Sequence, residues 1–433
     1  MPELVDQKNR KRLVIIGFGA NSALGRTWPE TWAELVAGRG GLSKDENRLP
    51  SSRFLSSYGG FVNGYGPETL DADERLSRLD SRFLHLGLAA AQEAMQPLAN
   101  KDFDKDRTAV VTTSAFGGVD LQDNERAKSE ARGRLQIGPY TVPGLLINQL
   151  GGQISQHLGL YGPGFAPSNA CASGGHAIIT AAMLIRSGMA DIALCGAAES
   201  AFVPSVYNAF FTMKALASIK PGDRAAIAPA QASRPFSADR CGFVMSEGAG
   251  MIVLTSLEEA IRLQVPILAE LVGMAVNSDG YHMAAPYQPR IEQCLKLAIA
   301  DAGISPDCIG YYNAHGTSTS VNDSTETAAL KAVFADHSAR LPVSSIKGAI
   351  GHTLGAASAI EAITTMECLR NGVIVPTINY VSDSALDLDY VPNVARDSFP
   401  TYALSASFGF GGTNNALVFR RFEHENLDTR GRD

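Results

Sequence analysis

The strongest constraint on the fold of this chain is an internal echo. Residues 88–95 (LAAAQEAM), 108–118 (TAVVTTSAFGG) and 170–197 (ACASGGHAIITAAMLIRSGMADIALCGA) are answered, in the same order, by 294–303 (CLKLAIADAG), 309–319 (IGYYNAHGTST) and 349–372 (AIGHTLGAASAIEAITTMECLRNG). In each set an amphipathic helix leads to a β-branched run that ends at Gly with Thr or Ser. A Gly/Ala-rich turn then opens another helix, which stops at Arg-Ser-Gly or Arg-Asn-Gly. A basic last turn followed by glycine is a helix-ending signal. The chain therefore reads as two copies of one α/β unit, and 433 residues give room for both.

Alternation of strands with helices predicts parallel sheets covered on both faces. Apolar runs such as Val14 to Ile16 and Ala109 to Val111 suit strands buried on both sides. GFVMSEGAGMIVLTS (242–256) and SFGFGGTNNALVFRR (407–421) read as matched Gly-rich turns into a closing strand. The seam falls within 258–266, so the expected halves are 1–258 and 259–433. The first half carries an excess at 119–150 that the second lacks. A long polar, proline-containing insertion predicts a lid, cap or interface.

Charge and composition exclude several classes. A formal charge of −7 argues against nucleic acid, whose phosphates demand a Lys/Arg excess. No stretch approaches the roughly 18 apolar residues of a membrane span, and the polar N-terminus offers no signal peptide. Six scattered cysteines without a CxxC pair predict a reduced, cytoplasmic protein.

Under the echo, Cys171 and His352 occupy corresponding places, each just ahead of the third helix of its half, and His315 ends a strand beside them. A thiol at a helix N-terminus has its thiolate favoured by the macrodipole. Small neighbours (Ala170, Ala172, Ser173) let a bulky thioester approach the sulfur. Cys171 read alone is equally a small core cysteine. His315 alone reads more readily as a structural histidine in a Gly turn than as a functional one, and Lys347 alone as an ordinary exposed lysine. Thr317 and Thr319, alternating along an extended run, can aim two hydroxyls into one groove. Glu361 can reach back to Lys347 as a buried ion pair. A metal held by Cys171, His315 and His352 is conceivable, but no HxxxH or paired-Cys spacing supports it. GFGANSALG has Ser22 where a dinucleotide fingerprint needs its third glycine. SFGFGGTNN lacks the lysine of a P-loop and reads as a flexible gate around Phe410.

Taken together, ACASG at Cys171, NAHGTST at His315, SIKGAIGHTLGAA at His352, SFGFGGTN at Phe410 and ASRPFSADRCGFVMSEGAG (232–250) resemble the condensing enzymes. The resemblance is closest to the β-ketoacyl-acyl carrier protein synthases of the type II elongating kind, over about residues 12–421. It implies a thiolase fold, a duplicated α/β unit in five layers (αβαβα), working as a homodimer or as a heterodimer with a related subunit. It implies Cys171 as the acyl-accepting nucleophile, His315 and His352 as the catalytic pair, and Lys347 with Glu361 as a supporting ion pair. Phe410 would be the gatekeeper, its backbone N–H forming an oxyanion hole with that of Cys171. Thr317 and Thr319 would hold the phosphopantetheine arm of an acyl carrier protein. Glu326, a second buried carboxylate, is grouped with them on the substrate side. No metal, nicotinamide or flavin is implied.

The sequence departs from that pattern at two single residues and in two segments, a shorter region after Pro286 and a longer SIKPGDRAAIAPAQ (218–231). Phe116 stands where elongating synthases often have a smaller aliphatic residue at the acyl-pocket wall, which predicts short or unusual acyl chains. Ala284 replaces a threonine beside the pantetheine arm, a loss of about 1 kcal/mol. Against the net −7, an acidic carrier needs a basic entrance, for which Arg75, Arg78 and Lys214 are the candidates. Two rivals remain. A non-catalytic chain-length partner subunit would lack the nucleophile, whereas Cys171 and both histidines are present. A degradative thiolase would carry a second active-site cysteine near the C-terminus, and SFGFGGTNN has none.

Overall fold

The structure is a computed structural model that describes residues 3–65, 79–133, 135–217 and 227–423. Its frame is a ten-stranded sheet. The first half supplies β1 (Leu13–Asn21), β2 (Thr108–Thr113), β3 (Gly164–Phe165), β4 (Ile192–Glu199) and β5 (Gly248–Ser256). The second supplies β6 (Ala269–Ser278), β7 (Ile309–Asn313), β8 (Val343–Ser344), β9 (Tyr402–Gly409) and β10 (Thr413–Arg420). Their spatial order is β8-β7-β9-β10-β6-β1-β5-β4-β2-β3. Read outward from the β1–β6 junction, the two halves have one topology, so the echo in the sequence is an echo in the fold.

The sheets are not parallel throughout, contrary to expectation. β2 pairs in parallel with β3 and β4, and β7 with β8 and β9, but every other pairing is antiparallel. The reason is visible in the second half. The three-residue turn 410–412 joins β9 to β10 as a hairpin, and a hairpin can only return antiparallel. Gly411 (φ 86°) and Gly412 (φ 69°) supply the left-handed backbone that this turn demands.

Helices complete five layers. On the outer face of the first half lie α1 (Arg82–Ala94), against β1, β4 and β5, and, beyond α2 (Val119–Ala131), α3 (Gln149–Leu158), against β2. α4 (Ser173–Arg186) packs on β2 and β4 from within. After α5 (Pro204–Thr212) and the connecting α6 (Leu257–Leu263), α7 (Gln288–Ala302) covers β6 and β10 and carries α8 (Ser320–Phe334) beside it. α9 (Ala357–Asn371) packs against β9, β5 and α4 in the central layer. The three largest hydrophobic clusters follow from this layering. The central one includes Ile178, Ala182, Ile360 and Ile363, and two outer ones lie under α1 and α7.

α4 and α9 end as their sequences indicate, with Gly188 (φ 76°) and Gly372 (φ 65°) just past a basic last turn. α9 is buried along nearly its whole length, which its mixed apolar and small composition (ASAIEAITTMECL) allows in a double-sided environment. The 119–150 insertion forms α2, a short helix Thr141–Leu145 and the start of α3. It leaves Leu135, Ile137, Tyr140, Val142 and Leu146 exposed, with Phe165 of the edge strand β3 also exposed. Among the described residues, no helix is long and apolar enough to cross a membrane.

Candidate active site

Three segments far apart in sequence deliver the reactive groups. Cys171 lies in a 3-10 turn, Ala170–Ala172, that runs straight into α4. His352 precedes the matching turn, Leu354–Ala356, that runs into α9. His315 lies two residues beyond β7. Because α4 and α9 pack together in the central layer, the matched turns ahead of them lie side by side, and His352, three residues before the position that corresponds to Cys171, reaches the sulfur. The His352 backbone is pinned on both sides, its N–H donating to Val244 O (2.8 Å) and its carbonyl accepting from Ser246 N (3.0 Å).

All three groups line one cavity of about 410 Å³, together with Thr317, Thr319, Phe408 and Phe410. His352 Nε2 is 3.2 Å from Cys171 Sγ. The His315 and His352 rings are 5.6 Å apart and nearly perpendicular, and Phe408 backs His315 at 5.6 Å. Beneath them Lys347 forms an ion pair with Glu361, each side chain only 1% exposed. Lys347 Nζ also donates to His315 O (2.6 Å) and sits 3.5 Å from His315 Nδ1, which leaves Nε2 of that ring to carry the proton. Ser407 Oγ donates to the other Glu361 oxygen (3.2 Å).

Electrostatics decide the protonation states. Burial, with Lys347 and His352 nearby, drives His315 well below the ordinary imidazole range, and burial with Lys347 does the same for His352. Both rings are neutral at physiological pH. For Cys171 the outcome differs from the sequence expectation of a favoured thiolate. Although Cys171 as a residue is only partly buried, burial of its thiol pushes it up to about 12, with Glu199 and Glu361 adding to the rise and Lys347 and the Phe410 N–H opposing it. A helix terminus contributes about half a charge, and the desolvated surroundings outweigh it. The resting group is the thiol.

The Phe410 loop reaches the nucleophile because Gly409 admits it. A Cβ at 409 would lie 2.6 Å from Asn169 O, two residues before Cys171. Phe410 itself is 36% exposed and leans on Phe210 of α5, ring to ring at 6.2 Å. Thr317 and Thr319 do share the groove, their hydroxyls 2.9 Å apart, and Thr319 also caps α8 by accepting from Asn322 N (3.3 Å).

One substrate-side expectation is corrected by position. Glu326 is fully buried and does not line the cavity. Its oxygens accept from His315 N (2.9 Å), Gly316 N (2.8 Å), Tyr312 OH (3.0 Å) and Asn322 Nδ2 (3.3 Å), so it holds the His315 loop from behind. Phe116 sits beside this cavity, on the Cys171 side, and not in its lining. It is half-buried in the aromatic cluster behind Cys171, edge-on to Phe210 at 6.2 Å. Ala284 and Lys214 line the cavity, Lys214 exposed at its rim, whereas Arg75 and Arg78 lie outside the described residues. Among the described residues no cluster of three or more His, Cys, Asp or Glu side chains could hold a metal ion.

The sequence reading passed over two groups that the structure brings to the site. Phe210 touches Phe410, Phe116 and Phe243, and Phe243 in turn packs edge-on to His352 at 5.1 Å. Glu199 ends the otherwise apolar strand IALCGAAE, and a lone carboxylate closing a buried strand was the available signal.

Comparison with known proteins gives one consistent picture. The sequence matches the family described as beta-ketoacyl synthase, N-terminal domain, over residues 10–260 and the corresponding C-terminal domain over 268–381. It is 35% identical over 419 residues to a Synechocystis protein named 3-oxoacyl-[acyl-carrier-protein] synthase 2, covering 96% of this chain and 99% of that one. A Staphylococcus aureus protein of the same name is 36% identical, with 95% and 99% covered. A β-ketoacyl synthase from Burkholderia phymatum superposes with a TM-score of 0.85 at 31% identity, covering 95% of this chain and 100% of that one. A chain of the ishigamide ketosynthase/chain length factor gives 0.86 at 30% identity, covering 96% and 100%. A type II polyketide acyl-carrier protein in complex with its ketosynthase gives 0.85 at 30% identity, with the same coverage.

Proposed function

The chain belongs to the β-ketoacyl synthase family, and from that premise we propose that Cys171 carries the acyl group while His315 and His352 hold the enolate that attacks it. The reaction is a decarboxylative Claisen condensation with malonyl-acyl carrier protein, giving a 3-oxoacyl-acyl carrier protein, and the chain is an acyltransferase. The observation that carries the residue assignment is the 3.2 Å contact between His352 Nε2 and Cys171 Sγ, with His315 beside it in the same cavity.

The steps balance without a cofactor. Cys171 sulfur attacks the acyl thioester and its proton leaves with the departing pantetheine sulfur. The tetrahedral oxyanion is held by the backbone N–H groups of Cys171 and Phe410. A malonyl thioester then occupies the cavity with its arm along Thr317 and Thr319. Loss of CO₂ places charge on the thioester oxygen, to which each neutral histidine donates from Nε2–H, that of His352 turning to it from the Cys171 sulfur. A neutral ring donates without readily protonating the carbanion, which suits the depressed His315 and His352. The enolate carbon attacks the acyl carbonyl, the Cys171 thiolate is expelled, and it takes up one proton. A thiol raised to about 12 favours that return to the resting state. The presence of nucleophile and both histidines favours this reading over that of a non-catalytic chain-length subunit.

The carrier partner supplies substrate on its phosphopantetheine arm. For the assembly we propose a homodimer formed through the 119–150 insertion and the edge of β3. Exposed apolar residues from 135 to 165 beside an open strand edge are the features that an interface covers. A protein that sediments as a single 45.9 kDa chain would contradict it.

The direct test supplies the protein with an acyl-carrier protein primer and malonyl-carrier protein. One CO₂ released per 3-oxoacyl product supports the reading, and CO₂ without a longer chain overturns it. Primer length is set by Phe116 on this account. Phe116→Ile should raise kcat/KM for long primers relative to short ones by about tenfold, the value of one or two methylenes in an apolar pocket. An unchanged ratio would show that the Phe116 ring simply swings aside.

A further inference from the structure

Glu199 is a buried carboxylate beside the chemistry that the mechanism above leaves unused. It is fully buried at the end of β4 and makes no ion pair among the described residues. Oε1 accepts from Ser114 Oγ (2.8 Å), and Oε2 accepts from Ala115 N (2.7 Å) and Gly355 N (3.2 Å). Ser114 and Ala115 begin the loop that carries Phe116, and Gly355 lies in the turn that follows His352. Ser114 extends the junction. Its Oγ accepts from Phe116 N (3.2 Å) and Gly117 N (2.8 Å), and its carbonyl accepts from Ser168 Oγ (2.9 Å), three residues before Cys171.

Resting on the condensation chemistry assigned above, we propose that Glu199 is a positioning residue that fixes the acyl-side wall at Phe116 and the turn bearing His352 to one another. One carboxylate thus couples the compartment that accepts the acyl chain to the donor that holds the enolate. The coupling is tight because the two loops touch. A Cβ at Gly355 would lie 2.6 Å from Ala115 N and 2.7 Å from Glu199 Oε2, so no side chain fits between them. A buried carboxylate without a cation is expensive, and burial raises Glu199 to about 7. Its retention there is consistent with a bridging task that an apolar residue could not perform.

Two variants test the proposal. Glu199→Gln keeps the shape but turns an N–H toward Ser114 Oγ, which already accepts two backbone donors. Gly355→Ala leaves the carboxylate in place and pushes the His352 turn away from it, and it keeps the question open to refutation if the first variant does not fold. Hydrogen exchange read on the peptides spanning 114–118 and 353–357 should quicken in both segments together, by about tenfold or more on loss of a shared buried acceptor. CO₂ release from the malonyl thioester, counted per alkylatable Cys171, should lose about tenfold or more in kcat, since displacing a donor by a fraction of an ångström has that scale of effect. KM should hold, because the pantetheine groove at Thr317 and Thr319 is not tied to Glu199. Unchanged exchange overturns the strut. Faster exchange with kcat per competent site unchanged overturns the positioning role. Wild-type protein that releases no CO₂ refutes the condensation reading instead, and the exchange data still decide the strut.

Discussion

Cys171→Ala is expected to make no carbon–carbon bond while still releasing CO₂ from a malonyl thioester. Condensation needs the acyl group parked on sulfur, so its rate should fall by about 10⁴-fold or more, the scale seen when a covalent nucleophile is removed. Decarboxylation draws instead on the two imidazoles, which are held by groups that the substitution does not touch. His315 is anchored by Lys347 Nζ at its carbonyl (2.6 Å) and by Glu326 at its N–H (2.9 Å), and His352 by the Val244 and Ser246 backbone. CO₂ release should therefore stay within about tenfold of wild type, because the oxyanion donors remain in place. Equal losses in both reactions would mean that the sulfur and the imidazoles do not divide the work as assigned.

The second large effect belongs to the ion pair below the histidines. Lys347→Met strands Glu361 in a site where both side chains are 1% exposed. Removing one partner of a buried pair costs about 3–5 kcal/mol, whereas replacing both by apolar residues is often neutral. Urea denaturation should show that loss for Lys347→Met and recover most of it in Lys347→Met/Glu361→Leu. Activity should not recover with stability. The double variant still lacks the Nζ donor to the His315 carbonyl, and decarboxylation should remain about 10²-fold down, the typical worth of one positioned oxyanion donor. Recovery of both together would reduce the pair to a structural element, and an unperturbed single variant would deny its burial.

What could be read from the sequence, and what could not, follows the range of the interactions. The order of motifs revealed the duplication, since each half repeats helix, strand, Gly/Ala turn and helix. It also predicted that Cys171 and His352 correspond, but the matched turns, each opening on a left-handed residue (Ala170, φ 48°, and Leu354, φ 47°), pair Cys171 with Gly355 and put His352 three residues earlier, still ahead of α9. Strand direction was misjudged at the closing pairs. A Gly-rich segment read as a turn does not say whether the chain returns by hairpin or by crossover, and 409–413 is a hairpin. The Cys171 thiol was misjudged for a related reason. The helix terminus is local and visible, but the burial that outweighs it is assembled from groups as distant as Glu199, Lys347 and Glu361. Glu326 was grouped with the substrate side by resemblance and is instead buried behind the His315 loop, where it accepts from the His315 and Gly316 N–H groups. Glu199 escaped notice because its partners, Ser114, Ala115 and Gly355, come from both halves.

The central claim is that one sulfur and two imidazoles serve one substrate carbon. Mass analysis of peptides from protein incubated with acyl-carrier protein, before and after addition of malonyl-carrier protein, tests it most directly. The account predicts the acyl mass on the peptide containing Cys171 alone, discharged on malonyl addition with a product two carbons longer. An acyl group on another residue, or a Cys171 adduct that persists while longer product forms, would contradict it.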